Sequence, residues 1–171
     1  MAIKSKVGTI INDIEIIAYR KSIDIDIKFS DGTILTNVEL GNLKKGSIKN
    51  PMKPIIYGLG YTGIGDYTYS KDIRAYKVWS GMLKRCYCEK NLVFHPTYKG
   101  CSVHPDWHNF QNFAKWYYEN YKDGFELDKD LLIQGNRIYS PDTCVFIPQD
   151  LNKLFAYTKV SKTKTKVGVD V

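Results

Sequence analysis

The chain has 171 residues and a formal net charge of +7, and 43% of its residues are hydrophobic. This composition suits packed cores and excludes a disordered chain, while the charge favours an anionic partner and argues against a protein that imitates DNA. No apolar run reaches the about 18 residues of a membrane span, and residues 1–10 lack the pattern of a secretory signal. We therefore expect an intracellular protein that has no membrane partner.

Residues 1–53 are predicted to form a small all-β, barrel-like module. Residues 23–29 alternate apolar and polar side chains, which places Ile23, Ile25, Ile27 and Phe29 on one buried face. Asp31-Gly32 is typical of a hairpin turn. Further short strands are predicted at residues 9–11, 14–19 and 34–38. Strands this short and this numerous predict a small barrel or a curled sheet.

Residues 54–72 are predicted to be a linker rich in glycine and tyrosine. Their central part, residues 57–69, has the sequence YGLGYTGIGDYTY. Neither Lys-Ser nor Lys-Thr follows the glycines, as a phosphate-binding loop would require. The pattern therefore favours a packed or extended connector over a phosphate site.

Two helices are predicted next, at residues 73–85 and 107–121, with Asp106 as the N-cap of the second. Aromatic side chains recur along both at helical spacing. We expect these aromatic residues to form a core and not a platform for stacking bases. One short strand is predicted between the helices, at residues 101–103.

Residues 127–152 have the layout of a ββα-metal nuclease site. Asp128 and Asp130 lie beside a strand-like run at residues 131–133, and a Gly135-Asn136 turn follows. A second strand is predicted at residues 144–147, and a helix after Pro148 would present Asn152. Such a site needs oxygen ligands for a divalent cation, here Mg²⁺, and a base that activates water.

Residues 76–155 resemble the HNH-type endonuclease-like proteins of bacteriophages and prophages, among them homing endonucleases. The resemblance is found in the segments YKVWSGMLKRCY (76–87), PTYKGCSV (96–103), WHNFQNFAKW (107–116), LDKD (127–130) and NRIYSPDTCVF (136–146). It implies an α+β fold in which residues 73–155 form an HNH-like ββα domain with two preceding helices, followed by a lysine-rich tail at residues 156–171. It also implies a location in the cytoplasm of a host cell.

The resemblance assigns a role to four positions. Asp128 matches the acidic ligand of a divalent metal, and Asn152 lies near the position of a second ligand. Asn136 matches the loop asparagine that orients the histidine base, but Lys129 stands where that histidine is expected. In such proteins a DNA-reading domain often follows, and residues 166–171 resemble its beginning.

The substitution at Lys129 decides whether an enzyme is expected. A lysine with its reference pKa near 10.4 is protonated at neutral pH, and the adjacent Asp128 favours that charged form. The sequence therefore predicts weak or absent hydrolysis. Three alternatives stay open: another histidine supplies the base, Lys129 stabilises charge on the phosphate, or Lys129 and the neighbouring aspartates form an ordinary ion-pair cluster. The histidines available are His95, His104 and His108.

Two further sets of residues are candidate binding sites. Basic side chains that could contact phosphates are Lys44, Lys45, Lys49, Lys84, Arg85, Arg137, Lys162 and Lys164. A zinc site is the less favoured alternative, because its ligands would not have the spacing of a familiar zinc finger. Those ligands would be Cys86, Cys88, Cys101 and His104.

The sequence thus predicts a phage-type protein that binds double-stranded DNA mainly through phosphates and has a degenerate HNH-like domain. The first alternative is an active Mg²⁺-dependent endonuclease of the homing type. The second is an anti-defence protein that uses the nuclease-like scaffold to bind a host protein, since a fold does not determine a function.

Overall fold

The computed structural model describes residues 6–152 and residue 154. They form an α+β structure, as predicted, and the chain divides into two compact units, Met1–Lys53 and Pro54–Val171. Each unit has its own hydrophobic core. Within the described residues, no helix combines the length and the apolar character needed to cross a membrane.

The N-terminal unit is built on an antiparallel sheet in which each strand pairs with the next. Its strands are β1 (Ile10–Ile11), β2 (Ile14–Lys21), β3 (Asp24–Lys28) and β4 (Ile34–Val38), in the order β1-β2-β3-β4. The predicted turn at Asp31-Gly32 is confirmed. Oδ1 of Asp31 accepts a hydrogen bond from the Thr33 backbone at 2.9 Å, and Gly32 has a φ of +88°.

The sheet is open, so the described residues do not form the predicted barrel. Strands β1 and β4 lie at its two edges. The apolar face is covered instead by a short helix, α1 (Leu40–Lys44), whose Leu40 and Leu43 are buried against Ile25 and Ile27. Ile23 was expected on the same face but is 58% exposed, because it lies in the turn between β2 and β3.

The C-terminal unit contains the two predicted helices. These are α2 (Ile73–Tyr87) and α4 (Phe110–Asn120), separated by α3 (Glu89–Phe94) and 3₁₀ turns at Pro96–Tyr98 and Pro105–His108. The aromatic stripes form the core, as predicted; Trp79, Phe110 and Phe113 are completely buried. Nε1 of Trp79 donates a buried hydrogen bond to the carbonyl of Trp107 at 2.7 Å, which joins α2 to the segment before α4.

The N-cap of α4 is Asn109 and not Asp106. The Asn109 side chain accepts a hydrogen bond from the backbone N–H of Gln111 at 3.0 Å. Asp106 lies one turn earlier, inside the 3₁₀ segment Pro105–His108. The prediction placed the helix start too early because this 3₁₀ turn continues the apolar pattern of the helix through Trp107.

The glycine- and tyrosine-rich segment at residues 54–72 belongs to the C-terminal unit. It lies against the start of α4, where the side-chain amide of Gln111 donates to the carbonyls of Thr62 and Tyr67, each at 2.9 Å. Two of its glycines leave no room for a Cβ atom unless a neighbouring side chain moves. A Cβ atom at Gly63 would meet the Asn109 side chain, and one at Gly65 would meet the Gln111 side chain.

Two short strand pairs complete this unit. Strand β5 (Ser102–Val103) pairs in parallel with β7 (Ile138–Tyr139), and β6 (Phe125–Asp128) pairs antiparallel with β8 (Val145–Pro148). The strand predicted at residues 131–133 is wrong, because these residues form bends and all three side chains are exposed. The strand begins earlier, directly after a turn at Gly124, and ends at Asp128.

Candidate functional site

Strands β6 and β8 bring the two halves of the predicted site together. Their register places Asp128 opposite Val145 and Leu127 opposite Phe146. After Pro148 the chain enters a helix at residues 149–152. The order of elements is therefore β6, a loop, the short strand β7, a turn, β8 and the helix, with Asp128 at the point where β6 meets the loop.

The carboxylate of Asp128 fastens the beginning of the loop. Its Oδ1 accepts backbone hydrogen bonds from Asp130 at 2.8 Å and from Leu131 at 2.7 Å. Two N–H groups thus satisfy this oxygen, as in the turns that aspartate commonly forms with the residues that follow it. Asp128 therefore acts on the fold of the loop.

Lys129 is buried, with only 8% of its surface exposed. Its ammonium group donates to Oδ1 of Asp130 and to the backbone carbonyl of Asn136, both at 2.7 Å. It also lies 5.9 Å from the ring centroid of Tyr139. Both hydrogen bonds use the amine as a donor within the loop. Of the three alternatives for Lys129, the geometry matches the ion-pair cluster.

Asn136 connects the two ends of the loop through its side chain. Its amide nitrogen donates to the carbonyls of Lys129 at 2.8 Å and Ile138 at 2.7 Å, and its Oδ1 accepts from the Ile138 N–H at 3.0 Å. The side chain expected to orient a histidine thus holds the loop backbone. We call Lys129, Asp130 and Asn136 the loop clasp, because their mutual hydrogen bonds close the neck of the loop.

The second predicted metal ligand, Asn152, contacts a different carboxylate. Its amide nitrogen donates to Oε2 of Glu126 at 2.8 Å, and Gln149 donates to Oε1 of the same residue at 3.0 Å. Glu126 and Asp128 are two residues apart on β6, so they point to the same side of the strand. The helix start therefore faces the acidic strand but binds its earlier carboxylate. Asp128 and Asn152 thus hydrogen-bond to different groups, and the Mg²⁺ site stays a prediction.

The histidines make contacts of their own. Nδ1 of His104 accepts from the Asp106 backbone at 3.3 Å, and Nε2 of His108 lies 3.2 Å from the carbonyl of Val103. His95 is exposed after α3. Among residues 6–152, no group of three or more histidine, cysteine or acidic side chains is arranged to hold a metal ion, and this applies to the predicted zinc ligands too.

The cysteines are free thiols, and three of the four are buried. Burial raises the pKa of Cys86 to about 12 and that of Cys144 to about 12. Cys101 is also buried, in the same core cluster, while Cys88 is half-buried at the end of α2. These thiols pack as small apolar groups, which is the usual role of cysteine in a core.

The predicted phosphate-binding residues fall into three groups. Lys44, Lys45 and Lys49 are exposed in the N-terminal unit, Lys84 and Arg85 lie on α2, and Arg137 precedes β7. Lys162 and Lys164 lie outside the described residues.

Two of these residues, Arg85 and Arg137, contact residues in or next to the β5–β7 pair. The Arg85 guanidinium lies 6.0 Å from the ring centroid of Tyr98 and 5.8 Å from that of Tyr139. The Arg137 guanidinium donates to the backbone carbonyl of Lys99. Arg85 thus contacts Tyr98, and Arg137 contacts the backbone of the next residue, Lys99, which is exposed and was not predicted. We call Arg85, Lys99 and Arg137 the basic cluster.

No family model matches the chain, and no match is found among curated proteins or among solved structures. The resemblance to HNH-type proteins thus remains a prediction from the sequence motifs. The function proposed below depends on the contacts described above.

The substitution Lys129→Met should destabilise the C-terminal unit. It removes the ammonium donor that binds the Asp130 carboxylate and the Asn136 carbonyl, which should reduce the free energy of unfolding by about 1–3 kcal/mol. All three tryptophans lie in this unit, so tryptophan fluorescence during urea unfolding measures the change. Lys122→Met, at an exposed lysine, serves as the control. An unchanged free energy for Lys129→Met would contradict the role of the clasp.

Thiol reactivity should distinguish the four cysteines. At pH 8 a pKa of about 12 leaves the Cys86 and Cys144 thiols almost wholly protonated, and the thiol is unreactive in that form. With Ellman's reagent we expect one thiol to react quickly in the folded protein, and Cys88→Ser should abolish that phase. All four should react in denaturant. Fast reaction of two or more thiols in the folded protein would show that the core is open.

Proposed function

We propose that this protein binds duplex DNA through its phosphates and that its HNH-like domain cleaves DNA weakly or not at all. The basic cluster is the observation on which the binding proposal depends. The net charge of +7 supports it, because a positive field attracts a polyanion.

The cluster suits phosphate binding because its arginines are held in place before a ligand arrives. Nε of Arg85 donates to the Gly81 carbonyl at 3.2 Å, and its guanidinium lies over two tyrosine rings. Arg137 is anchored on the Lys99 carbonyl. An ordered guanidinium loses less conformational entropy when it binds a phosphate, and its planar donors match phosphate oxygens. Lys99 adds an exposed point charge.

The loop clasp supports the proposal of weak or absent cleavage. Phosphodiester hydrolysis at this site needs a proton acceptor and oxygen ligands for a cation. Lys129 stands where the histidine base is expected, and its side chain donates two hydrogen bonds within the loop. Oδ1 of Asp128 accepts two backbone hydrogen bonds. The residues expected to perform catalysis thus stabilise the fold of the loop.

DNA binding should weaken steeply with salt and should depend on the basic cluster. Each phosphate contact that is lost reduces the slope of log affinity against log salt by about 1. We therefore expect a slope lower by about 2 for the double variant Lys99→Ala/Arg137→Ala, measured by fluorescence anisotropy on a labelled duplex. Lys115→Ala, at an exposed lysine on α4, should leave the slope unchanged. A wild-type slope near zero would contradict the proposal.

Plasmid nicking should distinguish a binding protein from an active endonuclease. With Mg²⁺ or Mn²⁺ we expect little or no nicking of supercoiled plasmid, and the same rate in wild type and Asp128→Ala. The matched control is Asp142→Ala, at an exposed aspartate outside the loop. Metal-dependent nicking that is lost in Asp128→Ala and kept in Asp142→Ala would establish the endonuclease alternative instead.

A further inference from the structure

The loop between β6 and β7 presents three large aliphatic side chains to solvent. Leu131, Leu132 and Ile133 are 44%, 56% and 54% exposed. Single exposed hydrophobic residues are common on protein surfaces. Among the described residues, however, this is the only place where three consecutive large hydrophobic residues are exposed. We call these three residues the loop tip.

The loop tip is held rigidly. The Asp128 carboxylate binds the backbone N–H groups of Asp130 and Leu131 at its beginning. At its end, the Asn136 N–H donates to the Ile133 carbonyl at 3.1 Å, across a turn in which Gly135 has a φ of +77°. The loop clasp joins the beginning of the loop to its end. An ordered apolar projection loses little conformational entropy on insertion into a partner, so this geometry favours a contact surface.

The charges beside the loop tip indicate the chemistry of the partner. Arg137 directly follows the clasp residue Asn136, and its guanidinium is anchored to the carbonyl of the exposed Lys99. The nearest acidic group in the loop, Asp130, is paired with Lys129 at 2.7 Å. An apolar projection with cations at its base is complementary to a surface that is anionic outside and apolar inside. Duplex DNA has these properties, with phosphates flanking stacked bases.

We infer that the loop tip inserts into the DNA as a wedge between neighbouring base pairs, while Arg137 and Lys99 contact the adjacent phosphates. This inference depends on the proposed DNA binding and adds how the DNA is deformed. Proteins that insert Leu, Ile or similar side chains from the minor groove unstack a base step and kink the duplex by about 20–90°. Flexible steps such as TA should be preferred, because they are the easiest to unstack.

The test measures DNA binding and DNA bending separately on the same duplex. The probe is a short duplex with fluorophores at both ends and 2-aminopurine at a central TA step. Wild-type protein should raise energy transfer between the ends, which reports bending, and should raise 2-aminopurine emission, which reports unstacking. The triple variant Leu131→Ser/Leu132→Ser/Ile133→Ser should lose both signals while its salt slope stays that of the wild type. The changed side chains are exposed, and the near-ultraviolet circular dichroism should confirm an unchanged core.

The matched control is Val93→Ser/Phe94→Ser, which removes another exposed hydrophobic pair, 73% and 80% exposed, from α3. It should bend and unstack the duplex as the wild type does. Wild-type binding without bending or unstacking would overturn the wedge and leave the proposed DNA binding intact. Absence of wild-type binding at low salt would overturn both.

A protein contact is the competing role for the loop tip. If the triple variant bends DNA as the wild type does but loses self-association in sedimentation velocity, the tip is a contact between copies of the chain. That result would also overturn the wedge.

Discussion

The buried ammonium group of Lys129 sets the geometry of the segment between β6 and β7. A charge that is removed from water must be compensated by close partners, and here the Asp130 carboxylate and the Asn136 carbonyl provide that compensation. This requirement draws the two limbs of the loop together. Between these two ends lies the aliphatic run at residues 131–133, which is exposed although its composition suits a core.

Much of the fold follows from local sequence patterns. The alternation at residues 23–29 gave β3, the Asp31-Gly32 pair gave its turn, and the helical spacing of aromatic residues gave α2 and α4. Local patterns do not determine which distant segments meet. The parallel pairing of β5 with β7 joins residues more than thirty positions apart. In the N-terminal unit, α1 covers the apolar face of an open sheet, whereas the strand pattern alone is also compatible with a closed barrel. The aliphatic run at residues 131–133 was assigned to a strand because periodicity alone does not show whether a short apolar run is buried.

Only part of the candidate site's local structure was predicted. Asp128 lies at the end of β6, before the run that was predicted as a strand, while Asn136 lies at the end of the predicted turn and Asn152 lies in the predicted helix. Their hydrogen-bond partners depend on side-chain directions that the sequence does not fix. Asn152 binds Glu126, which lies two residues before Asp128 on β6. Lys99 was missed for a related reason, since only the tertiary structure brings it beside Arg137.

The contacts of Gln111 bear on where this chain can be divided. Its side-chain amide is satisfied by backbone groups of residues 62 and 67, and the same segment places Gly60 against the side chains of α2. A fragment that starts at α2 would lose these partners and uncover part of the core. The shortest autonomous piece for crystallisation or NMR should therefore begin near Pro54. A protease acting on the native molecule should find residues 60–67 a poor substrate despite their glycine content.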